Sequence, residues 1–387
     1  MDNGSAQQPI NPMQEICTEC ANGKLDPLTE EGLRRQLSVE GRKRIDAFVF
    51  ELFFKLRLTK ICADTPGLIP SFGWHIGYNR FGDPTYWFRL LDAPDAWNAC
   101  DNEIAARLRN LQVGPKQRRV TVVGVIREHG KYKLQGAKRA VAGWETWQPL
   151  ELLIAGLDGK GSPRGPRPMS AVSPEEVGPA LSRLLSTKAL RDELPALSAQ
   201  RVLMNCVLGP LLGRDGTDLD AMILTPDGEL RYLEFKRKFP AAGGRCFGID
   251  IWPHHKTILT MAELKVSCLH IILVNPVWEK GKSPIAWLDD RRLDPHWTWV
   301  VANLNGDAFM TTQLHTSGTD SGHRSAERTQ KSIRWERTRL LQNELRLDGP
   351  ARCRLSEFLI SEEITGALPA SFEALKAKRA VRQQTDD

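Results

Sequence analysis

Apolar residues recur with two different periods along this chain, and the change of period divides it. Ile45, Phe48, Val49, Leu52, Phe53 and Leu56 fall at i, i+3, i+4, i+7, i+8 and i+11, which is one face of an amphipathic helix. Arg42, Lys43 and Arg44 start that helix and read as a solvated basic face. From Phe72 to Leu153 the pattern shortens to strand-like runs, Tyr86 to Leu91, Arg119 to Ile126 and Lys131 to Leu134, punctuated by glycine and proline. Asp95 to Leu111 between them predicts a helix, and His129-Gly130 predicts a hairpin turn. Trp74, His75, Tyr78, Tyr86 and Trp87 are expected in a core rather than stacked on bases.

Turn chemistry then sets the expected boundaries. Gly156 to Pro168 (GLDGKGSPRGPRP) is dense in glycine, proline and charge and reads as a linker. Ser173-Pro174-Glu175-Glu176 just after it is a helix start, with serine at the N-cap, proline at the first position and glutamate at the third. The expected organisation is a loosely ordered segment 1–30, an α+β domain 31–157 for recognition or partner contact, a linker 158–172, an α/β domain 173–304 and a polar extension 305–387. In that extension 311–328 reads as an exposed loop. Lys331 to Leu347, with Arg334, Trp335, Arg337, Arg339 and Arg346, reads as a basic, mainly solvated helix.

Composition narrows the class without naming a chemistry. Lys and Arg exceed Asp and Glu by 53 to 47, a net charge of +6 that permits nucleic-acid binding. No apolar run reaches the roughly 18 residues of a membrane span, and the polar start lacks a signal core, so a cytoplasmic protein is expected. The eight cysteines are scattered, which suits reduced thiols. Cys17 and Cys20 form a lone CxxC, half a zinc site at most. No GxxxxGK[ST], no GxGxxG after a strand and no GxSxG is present.

The chemistry is concentrated in Gly216 to Lys238 (GTDLDAMILTPDGELRYLEFKRK). Asp218 to Leu224 and Leu230 to Lys236 are strand-like and flank the turn Pro226-Asp227-Gly228. A three-residue loop pairs Thr225 with Glu229, which sets Asp220 opposite Glu234 and Asp218 opposite Lys236. Those four groups then share one face of a mostly apolar hairpin. Carboxylates at the ends of buried strands cost free energy unless paired or metal-bound, and oxygen ligands suit Mg²⁺ or Mn²⁺.

Thr217-Asp218-Leu219-Asp220 followed by Leu233-Glu234-Phe235-Lys236 resembles the metal-binding signature of the PD-(D/E)xK nuclease superfamily. The likeness covers about Ser173 to Pro276. A helix from about Ser198 to Leu212, the hairpin, a helix from Pro253 to Ser267 and a buried strand Cys268 to Asn275 are similar to that superfamily's core, a mixed sheet flanked by helices with a right-handed crossover. The resemblance implies that Asp220 and Glu234 ligate Mg²⁺ or Mn²⁺, that Lys236 assists the attacking water, and that Asp218 is a supporting acid. His255 and Lys256, at the start of the following helix, would touch substrate. A glutamate common on the family's first helix has only Gln200, Asn205 or Glu193 as counterparts here. The expected activity is phosphodiester hydrolysis, in DNA by the same likeness. A nuclease-like fold that binds nucleic acid without cutting it, or a subunit active only with a protein partner or as a homo-oligomer, stays open.

Overall fold

The computed structural model describes residues 42–380, apart from residues 116–117, 128–133, 165–173, 242, 280–281 and 318–326, together with residues 33, 34 and 37. The CxxC, the His129-Gly130 turn and most of the expected linker lie outside the described residues.

The amphipathic stripe forms helix α1 (Arg42–Asp64), with Ile45, Phe48, Val49, Leu52 and Phe53 all buried. It leads into β1 (Ile69–Ser71), β2 (Trp74–Gly77) and β3 (Tyr86–Leu91). Helix α2 (Ala99–Asn110) starts four residues later than expected from Asp95, because Asn98 and Asp101 make a reciprocal capping box there. A short clip of β4 (Gln112–Val113) and β5 (Arg118–Arg119) follows, then β6 (Thr121–Arg127), β7 (Leu134–Lys138), β8 (Gln148–Pro149) and α3 (Leu150–Ala155).

Next come α4 (Pro174–Leu185) and α5 (Lys188–Val202), the latter running through a π-helical stretch Leu203–Leu208 into a last turn Gly209–Leu212. The chemistry-bearing segment gives β9 (Thr217–Leu219), β10 (Ala221–Leu224) and β11 (Leu230–Arg237). After β12 (Gly248–Asp250), a turn Ile251–His255 opens α6 (Lys256–Glu263), followed by β13 (Ser267–Val274) and β14 (Thr298–Asn303). The chain closes with β15 (Phe309–Ser317), β16 (Glu327–Ile333), β17 (Thr338–Asn343), α7 (Gly349–Ser361) and α8 (Phe372–Lys378).

These elements make a mixed α/β protein. The central sheet has the order β1-β10-β11-β13-β14-β17, in which β11 and β13 run parallel and every other neighbouring pair is antiparallel. Strand alternation sends the two faces of β11 to different cores. Leu233 and Phe235 pack with α1, α4, α5 and α7; Leu230 and Tyr232 pack with α2 and α6. Phe54 of α1 stacks on Phe235, ring centroids 4.4 Å apart, a contact worth about 1 kcal/mol beyond its buried area. A second sheet, β8-β7-β6-β3-β2-β9, packs on α3 and the π-helical stretch, and β12-β16-β15 form a small third sheet. Among the described residues no helix is long and apolar enough to cross a membrane.

Several sequence expectations change. The boundary at 158–172 does not separate the sheets: β1, from the expected first domain, pairs with β10, and β2 pairs with β9. The expected basic helix over 331–347 is instead β16, a turn and β17, with β17 completing the central sheet beside β14. Its arginines are used locally, Arg337 on Asp307 and Arg339 on the Glu336 and Thr338 carbonyls. Residues 311–317 and 327–328 of the expected 311–328 loop belong instead to the antiparallel ribbon of β15 and β16, and the rest of that loop lies outside the described residues. Cys206 is disulfide-bonded, a departure from the expected reduced thiols, whereas Cys62, Cys100, Cys246, Cys268 and Cys353 are free. The aromatic group Trp74, Tyr78, Tyr86 and Trp87, with His75, is buried as expected.

Candidate functional site

The hairpin has the expected register. Thr225 N–H donates to the Glu229 carbonyl at 2.9 Å, and the ladder continues through Leu224↔Leu230 to Ala221↔Leu233. One step further Asp220 would face Glu234, and there the pairing stops. Leu219 instead pairs with Trp74 and Asp218 with His75, because β9 has left the central sheet for the second one. The neighbouring strand turns away at the same place, between Ser71 of β1 and Trp74 of β2, with Gly73 at φ +79°. Two adjacent strands thus change sheets together at a shared corner.

Departure of β9 deprives β11 of its ladder partner, and a backbone N–H left buried without an acceptor is costly. The Asp220 carboxylate supplies the acceptor: Phe235 N–H donates to Asp220 Oδ2 at 2.6 Å. That amide lies between Glu234 and Lys236, so the fold ties Asp220 to the segment that carries the other two groups.

The corner opens a small cleft lined by Glu51 and Lys55 of α1, Gln200 of α5, and Asp218 and Asp220, with Phe72 and Phe235 as apolar walls. Glu51, which the sequence did not single out, comes to the cleft from α1, while α5 brings Gln200. Arg201 holds Glu51 at 2.8 Å. Glu193 lies aside, paired with Lys55 at 2.6 Å; the side chain of Asn205 is outside the described residues. Burial, together with the charges of Glu234, Glu51 and Asp218, pushes the Asp220 carboxyl well above its ordinary range. Burial also raises Glu51, helped by Asp218. For Asp218 burial acts the same way, but Arg201, His75 and Lys236 outweigh it and hold the group ionised.

Glu234 faces a second, adjoining cavity with Lys238, Asp250, His254, His270 and Gln330. The four hairpin groups, expected on one patch, are therefore spread over two cavities, Asp218 and Asp220 in the first and Glu234 with Lys236 in the second. Lys236 Nζ is 2.6 Å from Glu234 Oε1 and 36% of its side chain is exposed. Burial disfavours its charged form, but Glu234, Asp220 and Asp218 together raise it, so it is an ammonium. Glu234 itself is 4% exposed: Tyr232 Oη donates to its Oε2, and Lys236 Nζ and, at 3.0 Å, His254 Nδ1 lie against its Oε1. Although burial opposes ionisation, His254 and Lys236 hold Glu234 well below the usual carboxylate range. His270 Nδ1 lies 2.7 Å from the Glu234 carbonyl, which can only accept, so this nitrogen carries the proton. Burial and the charge of Lys238 keep the His270 ring neutral.

His255 and Lys256 are not at the acids. His255 packs edge-on against Phe309, centroids 5.1 Å apart. Lys256 Nζ donates to the Gly82 carbonyl and lies over the rings of Trp252 and Tyr78. Their neighbour His254 is the residue of that helix start which reaches the site.

Among the described residues no three His, Cys, Asp or Glu side chains converge as a closed metal cage. Mg²⁺ needs only one or two carboxylates besides waters and substrate. Asp220 and Glu51 supply hard oxygen donors whose mutual repulsion a cation would relieve, so the donor chemistry fits a divalent ion. Neither a family model, nor a curated protein, nor a solved structure matches this chain.

Proposed function

We propose that this protein is a metal-dependent phosphodiester hydrolase of the PD-(D/E)xK kind, acting on nucleic acid, with DNA the expected substrate from the resemblance. The observation that carries the reading is the Asp220 carboxylate on the Phe235 amide, which gathers the acidic corner, Glu234 and Lys236 at one break in the central sheet. Helix α5 with its π-helical continuation, the hairpin, α6 and β13 also follow each other in the order of the superfamily core, with β11 and β13 parallel across α6.

Asp220 and Glu51 would hold Mg²⁺ or Mn²⁺, with Asp218 as the supporting acid and Gln200 at the rim. Such a cation supplies Lewis-acid polarisation of a phosphate oxygen and charge stabilisation. Lys236, held by Glu234 and reachable from solvent, positions the attacking water and stabilises charge developing on phosphorus. The resemblance makes Glu234 a ligand; here its oxygens face Tyr232, His254 and Lys236, so ligation requires Oε1 to exchange the ammonium for the cation. That engagement favours a second reading, in which the fold binds nucleic acid without cutting or cuts only with a partner.

Plasmid nicking separates the readings. Wild type with Mg²⁺ or Mn²⁺ is expected to nick supercoiled DNA, and Asp220→Ala, Glu51→Gln and Lys236→Ala to lose at least a hundred-fold in rate, the order of one positioned electrostatic group. Equal nicking by all of them overturns the assignment, and nicking by none leaves the binding reading in its place.

A further inference from the structure

Beside the acidic corner lies a surface of opposite character. Among the described residues, Phe81 (53% exposed) and Trp252 (44% exposed) are the two aromatic side chains among the strongly exposed large hydrophobics. They sit on either side of Lys256, whose amine is 4.9 Å from the Trp252 ring and bonds the carbonyl of Gly82, next to Phe81. Around Phe81 the guanidinium groups of Arg80 and Arg118 each lie 4.8 Å from its ring, and Arg214 reaches the Arg80 carbonyl at 2.8 Å. Asp83 and Asp158 are the acids close by, so four cations face two carboxylates.

The loop is rigidly built. Asn79, fully buried, accepts from the Phe81 and Asp83 amides at 2.8 and 3.0 Å and donates to Asp83 Oδ2 at 3.0 Å. Gly82, at φ +86°, closes the turn onto the Asn79 carbonyl. Holding an apolar ring in water on a fixed loop costs free energy and preorganises it for a flat ligand. The surface also connects with the corner. Tyr78 Oη is 3.0 Å from Thr217 Oγ1, beside Asp218, and Trp252 is two residues from His254, which faces Glu234.

We infer that this patch binds unpaired nucleotides: phosphates on Arg80, Arg118, Arg214 and Lys256, and bases stacked on Trp252 and on the arginine-flanked Phe81. Planar rings accept any base face, and guanidinium planes extend the stack, whereas a paired duplex offers its base faces only at an end. The inference rests on the nucleic-acid reading of the neighbouring corner and names its substrate class, a strand with an unpaired stretch next to the cleavage point.

The test is binding without cutting. Labelled single-stranded DNA and a blunt duplex of the same length are titrated by anisotropy in EDTA, using wild type and Asp220→Ala. Single strand is expected to bind at least ten-fold more tightly than duplex, in both proteins. Each base–aromatic stack is worth about five-fold to a hundred-fold, so Phe81→Leu with Trp252→Leu should weaken single-strand binding at least twenty-five-fold and duplex binding little. Trp252→Phe alone should keep most of the affinity, which separates stacking from folding. Arg118→Ala should lower the salt slope by about one for both nucleic acids. Equal affinity for single strand and duplex, no loss in the leucine pair, or equal competition by polyglutamate of matched charge overturns the inference. Because cutting is blocked throughout, inactivity of the corner leaves these readouts intact.

Discussion

Replacing His75 by leucine isolates one buried titration and has a size that the structure sets. The His75 ring is fully buried on β2, and among the described residues neither ring nitrogen has a hydrogen-bond partner. Burial lowers its pKa from 6.5 to about 4; Asp218 opposes this across the ladder, while Arg89 and Arg201 reinforce it. The folded state therefore refuses a proton that the unfolded state takes up. For a depressed pKa the stabilising contribution is complete above about pH 6.5 and is lost as pH falls toward 4. The linkage integral over that window is about 1.4 kcal/mol by pH 5.5 and about 3 kcal/mol by pH 4. Leucine cannot be protonated, so the urea midpoints of wild type and His75→Leu should diverge by those free energies as the buffer is acidified, the variant losing less. The imidazole proton shifts should show one histidine titrating near 4 that disappears in the variant. Parallel stability curves between pH 7 and pH 4, or a His75 resonance titrating near 6.5, would refute the reasoning.

Asp220→Asn keeps an oxygen acceptor for the Phe235 amide and removes a charge crowded by Glu51, Asp218 and Glu234. Calorimetry without metal should show it more stable than wild type by about 1 kcal/mol, the usual yield of relaxing a functional site. Ten-fold excess of Mn²⁺ over its dissociation constant should stabilise wild type by about 1.4 kcal/mol and leave this variant unmoved; an equal shift in both places the cation elsewhere. Asp101 is fully buried and takes donors from Ser71, Trp74 Nε1 at 2.9 Å, Arg89 Nε at 2.9 Å and the Asn98 amide at 3.1 Å. Asp101→Ala strands them and should cost about 3–5 kcal/mol in denaturant unfolding; a loss under 1 kcal/mol contradicts the network.

What the sequence disclosed was local, and what it hid was long-range. The α1 stripe and the register around Pro226-Asp227-Gly228 depend on neighbours a few residues apart, and both appear as expected. The β13 run is apolar because both its faces are covered, which a continuous hydrophobic segment announces. The β1–β10 pairing joins residues about 150 positions apart, from Ile69 to Leu224, and no periodicity records it. For the same reason Glu51, an acid on the flank of an apolar helix, did not stand out in the sequence, where Gln200, Asn205 and Glu193 were the candidates. Arginines at 334, 337 and 339 mimic a helical face. Thr329, Ile333 and Thr338, β-branched residues that favour strands, are the slight local signal against a helix there.

The corner itself makes one more demand, and two glycines test it with matched backbone strain. Gly73 and Gly228 both have positive φ, +79° and +83°. Alanine at either pays about 1–2 kcal/mol for a left-handed conformation. At Gly228, in the hairpin loop, the new Cβ meets nothing within 4 Å. At Gly73 it meets the Leu90 carbonyl at 3.1 Å and Gln200 Nε2 at 3.3 Å, in the place where β1 passes into β2. Relief there needs the Leu90 carbonyl and the ends of the Arg89 and Gln200 side chains to give by a few tenths of an ångström, and Gln200 lines the cleft. Gly228→Ala should therefore lose stability and keep its nicking rate at temperatures where it is folded. Gly73→Ala should lose stability and also part of its rate under the same conditions, since the crowded Gln200 side chain lines the cleft. If the two variants, compared at equal fraction folded, nick equally well, the corner is scaffolding and the chemistry does not depend on how the two sheets part.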